Sequence, residues 1–140
     1  ITADGVITPH TATEVNNIGV FAGVSYTASD GSYVYSQYWS TGTTATNIKA
    51  YVYDDLYTVF KVQSAGTVAQ TNVGNCADLV AGAGSATTGQ SGFEASGTMA
   101  AGTATVKILS LYETPDNAFG ANAIIEVLIN EHLLKDNAGI

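Results

Sequence analysis

At 140 residues, with four lysines, no arginine and twelve carboxylates, the chain carries a formal net charge of -8. Without the guanidinium fork that grips phosphates, and with this negative excess, nucleic acid, nucleotides and anionic membranes are poor partners. Only 11% of residues are charged, against about 25% in an ordinary soluble domain, so much of the surface is expected to be neutral Thr, Ser, Gly, Asn and Tyr that is easily desolvated on assembly.

The length suits one domain able to bury a core without staples. Residues 1–17 read as an extended arm. Residues 18–26 (IGVFAGVSY) and 32–39 (SYVYSQYW) are β-branched and aromatic runs joined by an Asp30-Gly31 pair, which predicts a hairpin because both turn residues tolerate positive φ. In the second run Tyr33, Tyr35 and Gln37 share one face, and Val34, Ser36 and Tyr38 the other. Residues 48–53 (IKAYVY) predict a third strand, Asp54-Asp55 a turn, and 56–63 (LYTVFKVQ) a fourth strand with Leu56, Phe60 and Val62 facing the core.

Residues 65–86 are punctuated by glycine, with one short apolar piece at 77–81. Residues 87–102, rich in Gly, Ser, Thr and Ala, read as a long flexible loop, the kind that is functional or ordered by a partner. Strand alternation resumes over 103–112 (TATVKILSLY), and a turn follows at 114–117. Residues 123–134 mix helical spacing with β-branched Ile124, Ile125, Val127 and Ile129, and are assigned as strand through Ile129. The sum is an all-β single domain: a β-sandwich or barrel of about seven or eight mostly antiparallel strands with long Gly/Ser/Thr loops.

Chemistry-bearing constellations are sparse. Cys76 is the only cysteine, lies among small uncharged neighbours and reads as a buried structural thiol. His10 and His132 are the only histidines, and Ser91 in Gly-Gln-Ser-Gly lacks both the spacing and the strand-to-helix setting of a nucleophile elbow. Asp54-Asp55 and the pair Glu113 with Asp116 could supply oxygens to a cation, but neither matches a calcium loop. No catalytic residue, cofactor or metal is therefore assigned. No apolar run approaches the roughly 18 residues of a membrane span. The chain opens at Ile1 rather than Met, so an upstream segment is expected to be missing, and with it any targeting signal.

Aromatic residues are the better lead. Tyr33, Tyr35, Tyr38 and Trp39 stand beside Ser36, Gln37 and Ser40, and amphipathic rings next to small hydroxyls favour protein interfaces. With Phe93 from the glycine-rich stretch they form the candidate interface, one set buried and one facing a partner.

The motif Phe21-x-Gly23-Val24-x-Tyr26, the Asp30-Gly31 turn and Tyr35-Ser36-x-Tyr38-Trp39 resemble a family of small structural proteins of tailed phages, notably marine ones. Val52-x-Asp54-Asp55-x-x-x-Val59-Phe60-x-Val62-Gln63, the glycine stretch from Gly82 to Gly92, and the tail from Asp116-Asn117 to His132 resemble it too. The likeness covers most of residues 18–134, with Leu56 where relatives often carry proline, and without their N-terminal Gly-Phe-Arg-Pro-like element.

The resemblance implies a non-enzymatic capsid decoration, or cement, subunit. It would bind the major capsid protein on the outside of the virion, without nucleic acid or membrane, as a homo-oligomer (dimer or trimer). The alternatives from the residues alone are a secreted or surface β-sandwich module holding a sugar or a cation, and a subunit of an extracellular filament.

Overall fold

The computed structural model describes residues 5–11 and 15–135. They form an all-β fold of ten strands in chain order: β1 (Val20–Ala28), β2 (Tyr33–Ser36), β3 (Ala45–Tyr53), β4 (Phe60–Gln63), β5 (Thr67–Val68), β6 (Cys76–Val80), β7 (Glu94–Ala100), β8 (Val106–Leu111), β9 (Gly120–Ala121) and β10 (Ile124–Ile129). Eight of them are four residues or longer, and all strand pairings within the sheets are antiparallel.

The core belongs to a five-stranded sheet of order β4-β10-β8-β6-β7. Along β10 the alternation foreseen from sequence is realised: Ile125, Val127 and Ile129 are buried while Ile124, Glu126 and Leu128 are half-exposed. Ile125 and Val127 build one apolar cluster with Val68, Ala77, Ala95, Val106, Ile108 and Ala123, and Phe60, Val62, Leu79, Met99 and Leu111 pack against it. On β8 a bulge changes the phase. Leu109 has no partner on β10, so Leu111 joins the core in place of Ser110, whose hydroxyl instead donates to Glu126 at 2.6 Å.

The sheet curls until its outer strands meet. Ser64 and Ala95 form a parallel bridge, the Ala65 N–H donates to the Ala95 carbonyl at 2.8 Å, and the Gly66 and Gly97 backbones touch. The result is a small, partly closed barrel, which limits the exposed edge that an open sheet would offer. The two-stranded ribbon β5-β9 prolongs the β4-β10 pair past an irregularity where Asn122 takes a φ of 57°.

A separate three-stranded sheet, order β2-β1-β3, leads the fold. It is stitched to the barrel through Asn17, whose N–H donates to the Glu131 carbonyl (3.1 Å) while its own carbonyl accepts from Leu133 N–H (2.9 Å). This sheet is thinly covered: no residue of β3 is buried, and only Gly23, Val24 and Ser25 of β1 are.

Four sequence expectations need correction. The second strand ends at Ser36 rather than Trp39, because the Ser36 hydroxyl donates to the Tyr38 carbonyl and accepts from Tyr38 N–H, a turn that competes with the ladder. The fourth strand begins at Phe60 rather than Leu56, because the Asp55 carboxylate accepts from Tyr57 N–H (2.8 Å) and the Thr58 hydroxyl (3.3 Å). Leu56 is accordingly half-buried in a turn and lies outside the core cluster.

Residues 87–102 are not one long loop: they contain β7, whose small residues lower strand propensity but let its backbone approach β4. In the expected arm, residues 5–11, 15 and 16 have no regular structure, whereas Asn17 joins the seam; residues 1–4 and 12–14 lie outside the described residues.

Candidate functional site

The structure divides the five aromatic candidates among three places. Tyr33 and Tyr35 stand on one face of β2, opposite Thr27 and Ser25 of β1. On β3, Tyr51 faces Gly23 and Lys49 faces Ser25, while Tyr53 lies two residues further along the same face. Four tyrosines from two edge strands therefore share one surface. Tyr33 is 72% exposed, Tyr35 60% and Tyr53 60%.

What lies beneath them explains their order. Gly23 leaves room for the Tyr35 ring: a Cβ there would sit 2.8 Å from the Tyr35 hydroxyl oxygen. The neighbouring Ser25 is 1% exposed, with its hydroxyl 3.0 Å from that of Tyr51. The Tyr35 and Tyr51 rings meet at a 6.0 Å centroid separation, tilted by 48°. Hydrogen bonds to Tyr51 from Ser25, then from Tyr33, together with the nearby Lys49 ammonium, hold its phenol below the usual tyrosine range. Sequence reasoning placed Tyr33 and Tyr35 on one face but missed Tyr51 and Tyr53. Their spacing in IKAYVY carried that signal only once the β1-β3 pairing was known.

Tyr38 and Trp39 do not belong to this surface. They sit in the β2-β3 loop, where Trp39 packs edge-to-face on Tyr26, on the other side of the sheet, at 5.4 Å and 84°. Tyr38 lies over Gly89 so closely that a Cβ there would strike its ring. Phe93 joins neither group: it is half-buried and edge-on to His10 at 6.3 Å. It also lines a cleft of about 480 Å³ with Lys61, Gln63, Ser91 and Glu94.

Asp55 is occupied by its turn and Asp30 by Ser32, whose hydroxyl and N–H draw the Asp30 carboxyl below the usual range. The Ser91 hydroxyl accepts from Phe93 N–H. Among the described residues no group of three His, Cys, Asp or Glu side chains is placed to hold a metal ion.

The seam between the N-terminal segment and the tail carries the two histidines. The Asn17 side-chain nitrogen donates to the Glu131 carbonyl, so its oxygen is the acceptor for His10 Nδ1–H at 2.8 Å. His132 is buried, and its Nδ1 accepts from Leu134 N–H at 3.1 Å, which leaves the proton on Nε2.

Beside them, burial, and then the charge of Asp78, push the Glu131 carboxyl up against an opposing pull from His10. A carboxyl raised on folding adds stability below its unfolded pKa, and that contribution is lost as pH rises through the folded value. Glu131→Gln should therefore stabilise the fold at pH 7 by less than about 1 kcal/mol, raising Tm by at most about 3 °C, because solvent screens a half-exposed group. At pH 4 the variant and the parent should melt together. Scanning calorimetry at both pH values checks this, and an equal shift at both would remove the electrostatic cause.

Compared with protein-family models, with curated proteins and with solved structures, the chain has no significant match.

Proposed function

We propose that this chain is a non-enzymatic virion structural protein, a decoration or cement subunit that grips the outer surface of a capsid shell through the tyrosine face of the β2-β1-β3 sheet. The observation that carries the reading is a set of four tyrosines on one face, two of them (Tyr35 and Tyr51) ordered over Gly23 and Ser25, on a sheet whose β3 strand has no buried residue. Tyrosine supplies large amphipathic contact area while losing few rotamers, so a surface already ordered in the free protein binds another polypeptide at reduced entropic cost.

Charge supports the same role. An arginine-free chain at -8 does not compete for the packaged nucleic acid, and its neutral hydroxyl-rich surface is readily desolvated against protein. Among the described residues the outer edge of β3, nine residues long, pairs with no strand and offers a place for a second copy to add its own, which suits a homo-oligomer. The resemblance of its motifs to those of small tailed-phage structural proteins favours the same reading.

The experiment is sedimentation. Purified protein is mixed with expanded empty shells assembled from the major capsid protein of the same genome, and pelleted. Saturable co-sedimentation at a fixed number of copies per shell is expected. Protein that stays in the supernatant at all ratios removes the proposal.

A further inference from the structure

On the Tyr26 side of the three-stranded sheet, the β2-β3 loop and the glycine loop before β7 flank a second, open cleft of about 400 Å³. That volume falls within the roughly 300–1,000 Å³ typical of small-molecule sites. Its polar and aromatic lining is Tyr38, Trp39, Ser40, Thr41, Ser85 and Gln90, and no charged residue of either sign contributes.

The cleft is built in advance. Across the glycine loop, Ser85 N–H donates to the Gln90 carbonyl at 2.9 Å, Gly89 N–H donates to the Ser85 carbonyl at 2.8 Å, and Thr88 N–H donates to the Ser85 hydroxyl at 3.1 Å. Gly89, at φ 70°, makes the turn and admits the Tyr38 ring. On the opposite wall, the Ser36 turn fixes Tyr38, and Tyr26 braces Trp39.

Against this internal order, several polar side-chain groups of the lining are free. Among the described residues, nothing hydrogen-bonds the Trp39 indole N–H, the hydroxyls of Ser40 and Thr41, or the Gln90 side-chain amide. Trp39 is also 40% exposed.

We infer that this cleft binds a neutral saccharide. An indole ring stacks on the C–H face of a pyranose. Hydroxyls and a carboxamide match its alternating donors and acceptors, and a site without cations gives no purchase to phosphate, sulfate or uronate. A peptide fits less well, because every residue of the lining lies in a loop and none offers a free strand edge. The inference is independent of shell binding, since the tyrosine face lies across the sheet.

Trp39 is the only tryptophan in the chain, so its fluorescence reports this cleft without a label. The protein is titrated with maltohexaose, cellohexaose and N-acetylchitohexaose, with polygalacturonate and an uncharged Gly/Ser/Thr peptide as comparisons. At least one neutral hexasaccharide should shift the emission saturably. Gln90→Ala, which keeps the reporter and the backbone bond to Ser85, should weaken that ligand about three- to tenfold, as for one hydrogen bond, with the melting point unchanged.

The inference is overturned if no neutral hexasaccharide shifts the emission at millimolar concentration, or if Gln90→Ala binds as well as the parent. It is equally overturned if polygalacturonate binds as tightly as the neutral sugars. A shift produced by the peptide and by no sugar would make the cleft a protein-docking site instead.

Discussion

Gly97→Val is expected to destabilise the fold by about 3 kcal/mol or more, lowering Tm by about 6–12 °C. By residue type alone the change looks favourable, since valine is a good strand former and Gly97 lies exposed on β7. The geometry reverses that expectation. A Cβ at Gly97 would lie 2.8 Å from the Gly66 Cα, and one at Gly66 would lie 2.9 Å from the Gly97 Cα. Both obstructing atoms are backbone, so no side chain can swing aside, and relief requires β4 and β7 to part.

Parting them stretches the Ala65–Ala95 hydrogen bond and the Ser64–Ala95 bridge, each contributing on the order of 1 kcal/mol in addition to the overpacking itself. Thr98→Val, the exposed neighbour on the same strand, should move stability by no more than about 0.5 kcal/mol. Urea unfolding of both variants tests the seam. If Gly97→Val matches the parent, the barrel is not closed there.

The same seam shows where the sequence was legible and where it was not. Strands built from β-branched and aromatic residues announce themselves through alternation, and β1, β3, β8 and β10 lie within about three residues of their expected positions. Strand β7 (EASGTMA) carries no such pattern, because its role is close approach, for which small residues are required. Low propensity there signals a tertiary demand, and a single sequence does not display the partner that makes it. Serine and aspartate beside a strand erred the other way. Ser36 and Asp55 bond their own backbone and shorten runs whose apolar pattern would have continued.

The candidate site was half legible for a related reason. Alternation put Tyr33 and Tyr35 together, a local fact set by a period of two. Joining Tyr51 and Tyr53 to them depends on the β1-β3 register, which shifts twice, once near Ala22 and once where Asn47 takes a φ of 51°. Those irregularities move the third strand's tyrosines into line. Tyr38 and Trp39 follow Tyr35 in sequence, yet the Ser36 turn sends them to the other side of the sheet. A cluster of aromatic residues in sequence is here two surfaces in space, with different chemistry asked of each.

That separation makes the tyrosine face testable by itself. Tyr35→Ala should weaken binding to capsid shells at least about 30-fold, the equivalent of about 2 kcal/mol, as for a central interface anchor. Its ring caps Gly23 and braces Tyr51, so truncation removes contact area and also releases the neighbouring ring. The fold should tolerate the loss, since Tyr35 is 60% exposed and outside the apolar cluster; a fall in stability below about 1 kcal/mol is expected. Tyr35→Phe keeps the ring and should retain most of the affinity, which separates area from the hydroxyl. Tyr57→Ala removes a tyrosine that is 80% exposed but lies in the turn before β4, away from this sheet, and should bind like the parent. If Tyr35→Ala and Tyr57→Ala co-sediment with shells equally well, the β2-β1-β3 surface is not what grips the capsid.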